Sequence, residues 1–237
     1  MSCLVAESAF APGVVHVAGR RAVIANVMKT LCGFFVAGAL LGGAAAWAGE
    51  SLPAPKQAGG MSLFEALKKR SSASGGDFSP AEVTREELST LLWAASGLNR
   101  GDKGWTVPMW RGVPPYCRVY VAAGDGVFLY DWKSHALEKI TDENVKGKIG
   151  KQSFVKKAYY TLIFVSDAQI LSQFGSADIS RDFPNVAAGA MTQNVYLAAA
   201  ALGIGARYVH TLNADEIRRA LKLPPGDVPI ALMLLGK

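Results

Sequence analysis

The stretch Arg118-Val-Tyr-Val-Ala-Ala-Gly-Asp-Gly-Val-Phe-Leu-Tyr-Asp131 decides the fold class. Arg118, Tyr120 and Ala122 alternate with Val119, Val121 and Ala123, the two-residue period of a strand with two distinct faces. Gly124-Asp125-Gly126 is a turn sequence, because glycine and aspartate tolerate the positive φ that a short reversal needs. Val127 to Asp131 then returns as a second strand, so the unit is an antiparallel β-hairpin.

Outward from the hairpin, the period changes several times. Ala158 to Val165 is almost wholly apolar and predicts a central strand. Phe183 to Leu202 predicts a long helix, apolar almost all round and therefore buried on several sides. Asn213 is the expected N-cap of a short helix ending at Leu221, and Val228 to Leu235 predicts a last buried strand. On the other side of the hairpin, Asn99 to Pro115 reads as a long loop anchored by Trp105 and Trp110. Before it, Thr84 and Glu87 form a capping box that opens a helix with Leu88, Leu91, Leu92 and Ala95 on its core stripe, stopping near Gly97. Met61 to Arg70 predicts a first helix, with Leu63, Ala66 and Leu67 on one face, followed by a Ser/Gly loop over 71–76. Helices and strands interleave irregularly around an antiparallel hairpin, which makes the class α+β.

The N-terminal quarter has a different character. From Met28, Lys29 is followed by an uncharged apolar run, Leu31 to Ala45, and by Ala46-Trp47-Ala48, an A-x-A cleavage pattern. The reading is a secretory signal peptide over 28–48, preceded by a non-native extension over 1–27 and followed by a linker over 49–60 and one domain over 61–237. The protein is then exported and periplasmic. An uncleaved membrane anchor, a start at Met1, and twin-arginine export through Arg20-Arg21 stay open alongside it. The formal charge of +6 falls on cleavage, since Arg20, Arg21 and Lys29 leave with only Glu7. No basic run resembles a nucleic-acid tract, so no nucleic-acid partner is expected. Cys3 and Cys32 leave too, and Cys117, inside an alternating apolar run, reads as a buried structural thiol. His135 and His210 are too far apart in sequence for metal-site spacing, and each reads as a surface or hydrogen-bonded side chain.

Four segments stand in a recognisable order: Ser62-Leu-Phe-Glu-Ala-Leu-Lys-Lys-Arg-Ser-Ser72, Glu87 to Arg100, Val127-Phe-Leu-Tyr-Asp131, and Gly189-Ala-Met-Thr-Gln-Asn-Val-Tyr-Leu-Ala-Ala-Ala-Ala-Leu-Gly203. Together they resemble the nitroreductase family of flavin enzymes, from about Ser62 to Lys237. The resemblance implies a central mixed or antiparallel sheet flanked by helices, an intertwined homodimer, FMN at the dimer interface, and hydride transfer through flavin N5 to a small-molecule substrate from an unknown electron donor. No side chain need act as acid or base, because the flavin carries the chemistry.

The resemblance also implies which residues hold the flavin. Arg70, Ser71, Ser72 and Ser74 fall in the phosphate-gripping segment, with Ser71 and Ser74 where arginines are usual. A serine offers one weak hydrogen bond where arginine offers a fixed bidentate fork. Thr106, Pro108 and Met109 fall in the ring-contacting loop, where Met109, Gly112 and Pro114 replace the usual serine, asparagine and glutamine. Arg207, His210 and Thr211 occupy the stretch whose backbone reaches N5, and Lys237 ends the chain near the phosphate. The alternative reading is a degenerate relative that keeps the scaffold and binds a ligand or partner without redox turnover.

Overall fold

Seven strands build one sheet: β1 (Glu50–Ser51), β2 (Cys117–Ala123), β3 (Gly126–Asp131), β4 (Ala136–Thr141), β5 (Tyr160–Ser166), β6 (Gly205–Val209) and β7 (Pro229–Gly236). The helices are α1 (Leu63–Lys69), α2 (Arg85–Ser96), α3 (Ala168–Leu171), α4 (Ala177–Leu202) and α5 (Ala214–Leu221). The computed structural model describes residues 49–75, 77–78, 81–102, 104–109 and 113–237. The expected extension and leader over 1–48, and the loop residues Trp110 and Gly112, lie outside them.

The strand order is β1-β4-β3-β2-β5-β7-β6, and every pairing is antiparallel. Of the mixed or antiparallel sheet expected from the sequence, the antiparallel form is therefore the one present. The hairpin closes as its turn residues predict, with Ala122 opposite Val127 and Ala123 opposite Gly126. Gly126 holds φ at 139°, and a Cβ there would collide with the carbonyl oxygen of Thr141 on β4.

The alternation along β2 sorts the core into two layers. Val119, Val121 and Ala123 face α2 and α4, whereas Tyr120 and Ala122 face α5 and the segment around Val145, Ile149 and Val155. The interior strands β5 and β7 are covered on both faces. Leu162, Phe164, Met233 and Leu235 enter the first layer, and Ile163, Val165, Leu232 and Leu234 the second. That double burial is why both strands read as continuous apolar runs.

Helix α2 carries the expected box: the Thr84 hydroxyl accepts from Glu87 N–H, and the Glu87 carboxylate accepts from Thr84 N–H. Helix α4 begins at Ala177 rather than at Phe183, and Pro184 lies inside it. The proline reads as a helix boundary, but at one position the helix tolerates the missing N–H, and the Asn185 side-chain amide donates to the Arg181 carbonyl beside it. Asn213 sits at the N-cap of α5, yet its side chain makes no cap bond and donates instead to Lys148 O. Cys117 is buried, and desolvation pushes its thiol up to about 12, so it is the inert thiol expected.

Three strands were not legible. β1 has two residues, β4 carries Glu138 and Lys139 in its middle, and β6 alternates small, charged and aromatic residues. β1 and β6 are the edges of the sheet, and β4 lies just inside β1. Polar residues on such strands blunt the apolar pattern that announces an interior one.

Candidate functional site

Helix α4 organises the site. After α1 the chain turns back along β6, where Ala73 N–H donates to Ala206 O and the Arg207 guanidinium returns a bond of 2.8 Å to Ala73 O. A Cβ on Gly205 would make only ordinary contact with Ala73 Cβ, but it would press to 3.1 Å from Gly236 O on the paired strand β7. Above it, the Tyr196 hydroxyl of α4 lies 2.8 Å from Ser72 Oγ and accepts from Tyr208 N–H at 2.7 Å. The hydroxyl that accepts from the backbone is thereby free to donate to Ser72. Arg70 caps the end of α1 and places its guanidinium 5.2 Å from the centre of the Tyr196 ring, a cation–π contact.

A groove of about 240 Å³ opens beside this cluster, lined by Lys69, Ser71, Ala73, Tyr196 and the chain around Gly205. Among the described residues Arg70 meets no carboxylate. The other two expected cations are engaged. Arg207 also stacks on Phe154 at 4.9 Å, and Lys237 pairs with Glu87 at 2.8 Å. Ser74 takes part in a local turn, its N–H donating to Asp77 Oδ2 at 2.8 Å.

His210 and Thr211 follow β6 on the surface. The His210 ring lies parallel to that of Tyr208 at 6.5 Å, and the Gln152 amide donates to the Thr211 hydroxyl. His210 also reaches a second groove of about 430 Å³, which runs between α4, near Arg181 and Pro184, and the start of β7, at Pro229 and Ile230.

The loop residues lie elsewhere. The Thr106 hydroxyl donates to Trp93 O, its N–H donates to Gly97 O, and its carbonyl accepts from Asn194 on α4. Pro108 is exposed, and Met109 packs partly buried on the first core layer. Trp105 is the expected anchor, buried and edge-on to Trp132 at 5.4 Å. Asn194 and Tyr196 are two residues apart, about 200° around a helix. The structure thus brings Arg70, Ser71, Ser72 and Arg207 together near Tyr196 on one side of α4, with Ser74 next along the chain in its own turn. Lys237 lies close by, past the Gly205–Gly236 pair. Thr106, Pro108 and Met109 belong to the other side of α4.

Tyr196 was missed as a site residue. Its signal is present: it is the one polar side chain in the apolar run from Val195 to Ala201, where a phenol hydroxyl calls for a specific partner. Among the described residues no group of histidine, cysteine or carboxylate side chains could hold a metal.

An FMN phosphate would fit the donor set at the Arg70 end, which offers an open guanidinium, the Lys69 ammonium and the Ser71 and Ser72 hydroxyls beside a groove. The ring-side loop offers an apolar wall through Met109 rather than polar contacts.

Known proteins resemble this chain in sequence and fold. A Methanocaldococcus jannaschii protein that bears the name nitroreductase is 30% identical over 188 residues, covering 75% of this chain and 91% of that protein. A solved structure from Ralstonia eutropha JMP134, also named as a nitroreductase, is 32% identical with a TM-score of 0.74, covering 79% of this chain and 88% of that one. The NADPH:FMN oxidoreductase of Vibrio harveyi, solved with NAD+, shares the fold at 19% identity and a TM-score of 0.51, covering 73% of this chain and 67% of that one. The sequence profile described as the Nitroreductase family matches residues 67–237, most of the chain, and with these relatives it establishes that the protein belongs to the nitroreductase family.

Proposed function

We propose that this protein is an FMN-dependent oxidoreductase that works as a homodimer on a small organic acceptor. The observation that carries the reading is the Arg70–Tyr196–Ser72 cluster, which presents a guanidinium without a carboxylate partner beside a groove lined by Ser71 and Lys69. Bound there, FMN would supply hydride transfer through its N5. Arg70, Ser71 and Ser72 would hold its phosphate, while Arg207 fixes the segment that carries them. Thr106, Pro108 and Met109 would close the flavin from the partner chain, because α4 stands between them and Arg70 within one protomer. His210 and Thr211 would lie beside the reacting edge, near the groove that reaches Pro229.

With the leader cleaved after Ala48, the protein works outside the cytoplasmic pool of nicotinamide, and its electrons come from a quinol or a redox partner. Retention of FMN tests the central reading. After incubation with FMN and desalting, absorption bands near ~370 and ~450 nm mark the bound cofactor. A colourless, folded protein overturns it. That outcome would favour ligand binding without turnover, a reading to which the engagement of Lys237 with Glu87 and of Arg207 with Ala73 already lends weight.

A further inference from the structure

Residues 49–57 cross the outside of the fold as a strap. Glu50 and Ser51 pair with Leu137 and Ala136 on β4, and Leu52 is buried in the first core layer. Leu52 N–H donates to His135 O at 3.1 Å, and Lys56 N–H donates to the Thr90 hydroxyl at 3.0 Å. Glu50 pairs with Arg85 at 2.9 Å and with it lines a cavity of about 500 Å³ that also reaches Tyr159 and Tyr160.

The strap is pinned at Pro53 by a relay that the proposed redox chemistry does not use. His135 Nε2 lies 3.2 Å from Pro53 O and 2.7 Å from Ser89 Oγ, and the Ser89 hydroxyl donates to that same carbonyl. A carbonyl oxygen only accepts, so Nε2 carries the hydrogen, and Nδ1 is the bare nitrogen. Nδ1 accepts from the Tyr130 hydroxyl at 2.9 Å. Every member is satisfied with the imidazole neutral.

We propose that His135 is a pH-sensitive clasp, which holds the strap against the fold at neutral pH and releases it when the imidazole takes up a proton. A proton on Nδ1 reverses the bond to Tyr130, whose hydroxyl must then find another acceptor although the residue is only 3% exposed. None of the surrounding charges answers an imidazolium. Asp131 is taken up by Lys133 N–H and the Ser134 hydroxyl, Glu50 by Arg85, and Lys133 lies over the Trp132 ring. Glu86 on α2 and Lys56 on the strap are exposed to solvent. Burial holds the His135 pKa below its ordinary value and outweighs the Pro53 carbonyl, whose hydrogen bond favours the charged ring, so it is the solvation gained when the strap lifts that favours protonation. A group depressed in the folded state stabilises it above the ordinary value near ~6.5, and that contribution is lost as pH falls through the folded value.

The test is amide hydrogen exchange over 50–57 in the intact protein, corrected for intrinsic rates, with the His135 ring followed by NMR. Lowering the pH from about 7.5 to about 5 is expected to cut protection of Leu52 and Lys56 at least ~10-fold, with the midpoint of the His135 titration. Asparagine tolerates the φ of 50° at this position, so His135→Asn keeps the turn and should abolish the pH dependence. Unchanged protection in the wild-type protein, midpoints that do not coincide, or a retained pH dependence in His135→Asn each overturns the clasp. The first two are read without any variant.

Discussion

Arg70 and Asp227 show two opposite uses of charge. Arg70 has its cation–π contact with Tyr196 but no carboxylate, so its charge remains available to a ligand. If it grips the flavin phosphate, Arg70→Ala should weaken FMN binding at least ~10-fold, or about 1.4 kcal/mol, while leaving the fold intact. A fluorescence titration with FMN measures this, and an unchanged affinity would move the phosphate away from this cluster. Asp227 is 2% exposed and fully committed, accepting from the Arg118 guanidinium and from Ala168 N–H at 2.9 Å. Asp227→Asn removes its charge and leaves Arg118 with Asp167 alone, at 3.4 Å. Losing a hydrogen bond to a charged group while Arg118 still faces Asp167 should cost about 2 kcal/mol, which urea unfolding should register as a lower midpoint with an unchanged slope. The sequence marks Arg70 through its motif. Asp227, in a Gly-Asp-Val loop, looks like an ordinary turn residue, because its partners are 109 and 59 positions away.

At the scale of elements, local signals and tertiary signals separate. The α2 capping box is local: Thr84→Ala removes the acceptor for Glu87 N–H and should cost about 1 kcal/mol in thermal or urea unfolding, whereas Thr84→Ser should cost little. Such local chemistry is why α2, the hairpin turn and the apolar runs of β5 and β7 could be read directly. β4 and β6 could not. Their stability comes from pairing with β3 and β7, and residues such as Lys139 and Arg207 carry no trace of that in their neighbours. The start of α4 was hidden for a related reason. Pro184 is a boundary signal in isolation, and only the packing of the whole helix across the sheet lets the chain run through it. Part of the site was legible as motif, and its division between two chains was an implication of the resemblance that the residues themselves do not show. That Thr106 and Ser72 belong to opposite sides of α4 follows from the directions of Asn194 and Tyr196, which depend on what each side chain meets.

That division sets a requirement on the whole molecule. One protomer presents the proposed phosphate cluster and the ring-side loop on different sides of α4, so a flavin touched by both needs a second copy of the chain. The surface offers a place for it. On α1, Leu63, Phe64 and Leu67 are 59%, 81% and 47% exposed, and on α4 Val186 is 70% exposed. Large apolar side chains grouped on one helix mark an interaction surface more often than a solvated face. If this face pairs with its own copy, as the proposed homodimer requires, the contact would close on itself with two-fold symmetry. Sedimentation equilibrium should therefore give the mass of two chains. Phe64→Glu, at a position that buries little within the protomer, should shift it to one chain with unchanged circular dichroism. FMN should be lost in parallel, because the partner's loop leaves with the partner. A monomeric wild-type protein, or a monomeric Phe64→Glu variant that still retains FMN, would mean that a single chain completes the site and that the loop around Met109 plays no part in it.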